Sequence, residues 1–441
     1  MHFLLRMLLL SILLVSAAPA YARATETIRV EASTATPAFP TSISFEVTAE
    51  SSAAPLVAAQ LLYGPARSNG LTLVELPVTP GQRVTLQHRL DTEVAYFPPG
   101  TEMSYRWVLR DADGNEMTSP VETFLYHDER FPWSERSERN VIVYWYEGGA
   151  AFGEELITVA TQTLDQLEQE IGAQLDQPVR IYVYASNSDM RSALQRNSVE
   201  WVGGAAWTDL GVIVGGIMPG DTAEVERILP HELSHQVLAQ ATRNPYGGVP
   251  VWFDEGLAVH NQIQRDLGWE ELVEEAAIEG RLIPLSSLAA SFPADPAQAT
   301  LSYAQSRDMV EYMLDVHGPE AMRTLVAAFA TATPIEDALT QVIGMTVDEV
   351  DAAWRTTLPT QVREVPMVPG PQTAPPSRFD QAASVPQASQ TDGLSWFEQI
   401  QQQAPWALLI GLTFLIIIGL TIGGVVVVIV LRLAGVDKRT S

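Results

Sequence analysis

Along the chain the apolar residues change their period, and each change marks a different class of element. From about Glu26 to Tyr126 they alternate with polar ones, as in Ile43, Phe45, Val47 and Ala49 and again in Tyr105, Trp107 and Leu109. A period of two is the pattern of half-buried strands. Turn sequences punctuate it at Phe97-Pro98-Pro99-Gly100 and Asp111-Ala112-Asp113-Gly114.

About a hundred residues of short strands without helical periodicity predict an all-β sandwich of immunoglobulin or fibronectin type over 23–130. After Phe131-Pro132-Trp133 the pattern changes. Val141 to Tyr146 and Val179 to Tyr184 read as buried strands. Between them Phe152, Leu156, Ala160, Leu164, Leu167 and Ile171 recur at helical spacing, and Gly172 is placed to end that helix. Beyond Thr222 the spacing is mostly helical as far as Leu358. Strands first and helices afterwards predict an α+β domain over 134–358 rather than a doubly wound sheet.

Both ends are more apolar still. Arg6, the run Met7 to Val15, and the small residues of Ala18-Pro19-Ala20 and Ala20-Tyr21-Ala22 have the form of a secretory signal peptide, 1–22. That run is too short to span a hydrocarbon core of ~30 Å, which takes roughly 20 helical residues. Trp406 to Leu431 is uncharged and is followed by Arg432, Lys438 and Arg439. This predicts one transmembrane helix at 405–431, a cytoplasmic tail at 432–441 and a single-pass membrane protein with its N-terminal domains outside the cytoplasm. Residues 359–404, rich in Pro, Gln, Ser and Ala, predict a flexible stalk.

Charge narrows the function classes. With 53 acidic against 26 basic residues, nucleic acid is not an expected partner. There is no cysteine, so any metal must sit on histidines and carboxylates, and thiol nucleophiles are excluded. A leader without a disulfide fits the bacterial envelope.

The chemistry concentrates in His231-Glu232-Leu233-Ser234-His235. Histidines four apart in a helix share one face and can reach one metal ion. Glu232, one helical step round, can instead meet a metal-bound water and take its proton. Two ligands do not complete such a site. The continuation with glycine and histidine three and six residues on is absent, since those positions are Leu238 and Ala241. The remaining candidate is Glu255, early in the apolar segment Val251-Trp252-Phe253-Asp254-Glu255-Gly256-Leu257-Ala258.

HELSH followed by Pro250-x-Trp252-Phe253-x-Glu255-Gly256-Leu257-Ala258 resembles the peptidase MA-like gluzincins, distant relatives of thermolysin and the aminopeptidase N family. The resemblance continues through Tyr303-Ala304-Gln305-Ser306 and Gly344 to Arg355, and covers roughly Val141 to Leu358. It implies a zincin-like metallopeptidase domain with Zn2+ on His231, His235 and Glu255 and with Glu232 as general base. It also offers Tyr303 as an oxyanion stabiliser, with core packing as that residue's other reading. Two departures stand out. Pro230, before the first histidine, removes a helical hydrogen bond and predicts a bend or restart. No acid follows Glu255 closely, so whatever orients His231 is unassigned.

Neighbouring residues read more plainly. His260 falls on a different helical face from Glu255 and is not expected to bind metal. Asp254 reads as a helix-start residue or an acceptor behind the ligands. Gly203-Gly204-Ala205-Ala206 reads either as a substrate-side edge strand or as a plain bulge. His88 and His127, isolated from any ligand spacing, read as surface histidines. The expected function is a membrane-anchored, extracytoplasmic zinc peptidase acting on peptides or proteins. The alternatives are a protein that holds zinc without catalysis and an adhesion or interaction module.

Overall fold

The computed structural model describes residues 27–68, 70–194 and 203–360. Its first part is eight strands: β1 (Ile28–Ala38), β2 (Ser42–Ser51), β3 (Leu56–Pro65), β4 (Thr72–Leu76), β5 (Arg83–Asp91), β6 (Thr101–Asp111), β7 (Glu116–Thr118) and β8 (Glu122–Tyr126). They form two antiparallel sheets, one ordered β1-β2-β5 and one ordered β4-β3-β6-β7 with β8 also on β6. The period-two residues explain why the sheets stay together. Ile43, Phe45, Val47 and Ala49 of β2 share a core with Leu61 of β3 and with Tyr105, Trp107 and Leu109 of β6.

The second part begins with β9 (Ser134–Glu138), β10 (Val141–Trp145), α1 (Gly149–Ile171), β11 (Val179–Tyr184), α2 (Asn187–Ala193), β12 (Gly204–Trp207) and β13 (Val212–Gly216). Helices follow: α3 (Thr222–Ala241), α4 (Val251–His260), α5 (Trp269–Ile278), α6 (Pro296–Ala330), α7 (Ile335–Ile343) and α8 (Val347–Arg355). The sheet is ordered β12-β13-β11-β10-β9, parallel at its centre and antiparallel at both edges. Helix α1 ends at Gly172, whose φ is 68°. Helix α6 is broken at Gly318, before Pro319.

The central strands are apolar throughout because both faces of the sheet are covered. Val141, Val143, Ile181, Val183 and Ile213 face the helices, while Tyr144, Tyr182, Tyr184, Val212 and Val214 face the other way. That second face is closed by the end of the β-rich part. His127 Nδ1 lies 2.6 Å from the Tyr182 hydroxyl, the Tyr184 hydroxyl donates to buried Asp128 at 2.7 Å, and Trp133 meets both tyrosine rings edge-on. Both parts belong to one compact unit. His127 is therefore half-buried in an aromatic seam, against the expectation of a surface histidine; its partner Tyr182 lies 55 residues away in sequence.

Two further expectations are corrected. A fold with a C-terminal transmembrane helix is not what the structure has: among the described residues no helix is long and apolar enough to cross a membrane. The longest, α6, carries Arg307, Asp308, Glu311 and Asp315 and could not face hydrocarbon. The segment expected to span, 405–431, lies outside the described residues, as do the expected signal peptide 1–22, the tail 432–441 and all but the first two residues of the stalk. The described fold is a β-rich region followed by an α+β region. Of the bend or restart expected at Pro230, the restart is the second correction: α3 runs on through Pro230 to Ala241.

Candidate metal centre

Helix α3 buries Leu229, Leu233 and Val237 in the core, which turns His231 and His235 toward α4. Their rings are T-shaped with centroids 4.9 Å apart, and the two Nε2 atoms are 3.3 Å apart. Helix α4 brings Glu255 Oε2 to 3.7 Å from each Nε2. The three donor atoms lie within 4.8 Å of one another. Glu255 Oε2 is buried and has no hydrogen-bond partner, an expensive state for a carboxylate oxygen unless a cation shares the site.

Glu232 points away from this trio toward β12. A Cβ built on Gly204 would stand 2.9 Å from Glu232 Oε1 and 2.8 Å from Ile228 Cγ2. Gly204 lacks a side chain because the glutamate occupies its place. Glu232 is nearly fully buried, and the burial, assisted by Glu255 and Asp254 and opposed by His235 and Arg227, pushes its pKa up to about 7. That is the range in which a carboxylate both accepts and returns a proton at neutral pH.

The imidazoles differ. Burial, the neighbouring His235 and Arg227 hold His231 well below the ordinary histidine range. For His235 burial acts the same way, but Asp254, Glu255 and Glu232 outweigh it and raise the pKa to about 10. Asp254 Oδ1 accepts from His235 Nδ1 at 2.7 Å, so it is an acceptor behind a ligand candidate, one of the two roles expected of it. The group beside His231 is Gln262, whose side-chain nitrogen lies 3.1 Å from Nδ1. Sequence reasoning misses this residue, which follows the end of α4 with no motif around it.

Tyr303, on α6, packs edge-on against Phe292 at 5.0 Å. Burial, with the charges of Glu255 and Glu232 in the same sense, pushes its phenol pKa well up. His260 is elsewhere. It bridges Glu170 of α1 at 3.1 Å and Glu311 of α6 at 3.3 Å, and these carboxylates overcome burial to raise its pKa to about 9. Of the glycine-alanine run, Gly204, Ala205 and Ala206 lie in the edge strand β12, in regular register with β13 and without a bulge.

Residues 159–360 match the Peptidase MA superfamily. This part of the chain belongs to it. The peptidase MA region takes in α3, α4 and α6, and with them the His-His-Glu trio, Glu232 and Tyr303, and it excludes the β-rich region. The chain is accordingly peptidase-like. No curated protein matches it. Among solved structures, OgpA from Akkermansia muciniphila is 12% identical over 25% of this chain and 31% of that one, with a TM-score of 0.20. A polysaccharide deacetylase from Bacillus cereus is 10% identical over 59% and 78%, with a TM-score of 0.19. Likenesses so faint carry no argument.

Proposed function

We propose that the protein is a zinc-dependent peptidase acting on peptides or proteins outside the cytoplasm. The observation that carries this reading is the convergence of three donor atoms beside a buried, separately held glutamate. Atoms 3.3, 3.7 and 3.7 Å apart share a centre about 2.1 Å from each, within the about 2.0–2.2 Å at which zinc binds imidazole nitrogen and carboxylate oxygen. Two histidines and one glutamate are a catalytic donor set that keeps a fourth position open, and members of the superfamily are often zinc-dependent. Bound there, zinc would supply Lewis acidity toward a peptide carbonyl.

The remaining steps belong to the chain. His231, His235 and Glu255 hold the ion, and Asp254 fixes the ring of His235. Glu232 takes a proton from the attacking water and returns it to the leaving amine. Tyr303 donates to the developing oxyanion from the α6 side. The substrate backbone adds to the edge of β12 that has no partner among the described residues, where Ala205 and Ala206 keep the side chains small.

The test pairs metal content with turnover of an unbiased peptide mixture, for wild type and Glu232→Gln made identically. Zinc should stay bound, while hydrolysis falls by a factor on the order of a hundred or more. Equal turnover by the two would defeat the mechanism. Zinc without turnover in either would favour a protein that holds the metal and cleaves nothing.

A further inference from the structure

Pro230 has no N–H, so the carbonyl four residues earlier, that of Glu226, loses the partner a helix would give it. That carbonyl is not left to solvent. It accepts from the backbone N–H of Ile263 at 2.9 Å and of Gln264 at 3.3 Å, both in the loop that follows α4. The residue just before them is Gln262, whose side chain lies beside His231 Nδ1. From these contacts we infer that Pro230 is a positioning residue for the metal centre: by giving up one helical hydrogen bond it opens a docking point on α3 that seats the 261–264 loop and sets Gln262 against His231.

The chemistry asks for such a partner. With Nε2 of His231 turned toward Glu255, the ring proton sits on Nδ1, and a ligand imidazole is held best by an acceptor at that atom. Turned end for end, the Gln262 amide offers its oxygen, Oε1, which is otherwise buried without a partner. This acceptor takes the place of the acid missing after Glu255. A proline inside a helix ordinarily costs about 3 kcal/mol. Keeping one here is explained if the freed carbonyl has a use.

The inference rests on the zinc reading, and its test separates the two. The full chain is compared as wild type, Pro230→Ala, Gln262→Leu and the double variant. Zinc affinity is measured by competition with a chelator, thermal stability by melting, and amide exchange in metal-free protein. An alanine at 230 regains the N–H and competes for the Glu226 carbonyl. Exchange at Ile263 and Gln264 should therefore speed up at least about tenfold, and zinc affinity should drop about tenfold, while the melting temperature holds or rises. A merely structural proline would not move affinity and stability in opposite directions. Gln262→Leu should lose affinity by a similar factor, and the double variant should lose no more than the larger single loss. Unchanged exchange at Ile263, unchanged affinity in Pro230→Ala, or additive losses would each overturn the inference. A wild type that binds no zinc but shows the exchange change would instead refute the metal reading and leave the docking of the loop standing.

Discussion

A single methyl group added at Gly204 would stand 2.9 Å from Glu232 Oε1, closer than carbon and oxygen approach without one of them moving. The carboxylate end is the softer partner, so Gly204→Ala should shift Glu232, the proposed general base. Misplacement of a reacting group by about 1 Å can cost on the order of a hundredfold. Peptide turnover should fall at least about tenfold in this variant with zinc content unchanged; an unaltered kcat would show that Glu232 has room to spare. Asp254→Asn, which keeps the shape but removes the charge behind His235, should weaken zinc binding by about ten to a hundredfold in a chelator competition. At this scale the sequence was informative wherever chemistry follows helical spacing. His231, Glu232 and His235 are fixed by one turn of one helix, and Glu255 by a pattern local to another. Gln262 was not legible, because its meeting with His231 depends on how a loop folds back across α3. Nor does the sequence show what the missing side chain at Gly204 makes room for, since Glu232 and Ile228 reach it from another element.

Helix α4 carries Glu255 at its middle and crosses α6 closely enough that a Cβ on Gly256 would overlap the Ser306 carbonyl oxygen. Here the obstacle is backbone. Gly256→Ala should force the helices apart, cost about 1–3 kcal/mol as overpacking does, and weaken zinc in parallel because Glu255 rides on the displaced helix. Melting and metal titration should both report it; full affinity at reduced stability would show that α4 moves without its ligand. At the end of α4, His260 faces Glu170 of α1 and Glu311 of α6, with Arg265 and Arg307 also on Glu311. Raised from 6.5 to about 9, the imidazolium stabilises the fold fully below about pH 6.5 and loses that contribution as pH rises through about 9. The effect is at most on the order of 3 kcal/mol. Denaturant midpoints should fall across that window, and His260→Gln should flatten the fall; an equally steep fall in the variant would assign the slope to other groups. Elements with a clear period were legible in the sequence, from β2 to α1. The continuity of α3 was not, since a proline rule drawn from isolated helices ignores the loop that takes up the freed carbonyl.

In the molecule as a whole, the β-rich region covers the aromatic face of the sheet and also reaches its edge. Tyr96, in the loop after β5, donates to the Ala193 carbonyl at the end of α2 at 3.2 Å and lies against the ring of Trp207 at the end of β12. Tyr96→Ala should loosen β12, seen as faster amide exchange over 204–207 and a higher KM for long peptides with zinc retained. Unchanged exchange there would show that β12 is held by β13 and α3 alone. The seam itself was invisible in the sequence. Tyr144, Tyr182 and Tyr184 read only as strand residues, and nothing local says which distant aromatic ring will cover them.

The two sides of the five-stranded sheet are finished differently. On one, β9 is Ser134-Glu135-Arg136-Ser137-Glu138, exposed along its length and charged enough to repel another strand. On the other, β12, with two alanines and a glycine, ends the sheet and pairs only β13 among the described residues. A second copy of the chain that added to this sheet strand by strand would have to do so at β12, in the place proposed for substrate. Self-association by that route would then be competitive inhibition, relieved on dilution, and specific activity would rise as the protein concentration falls.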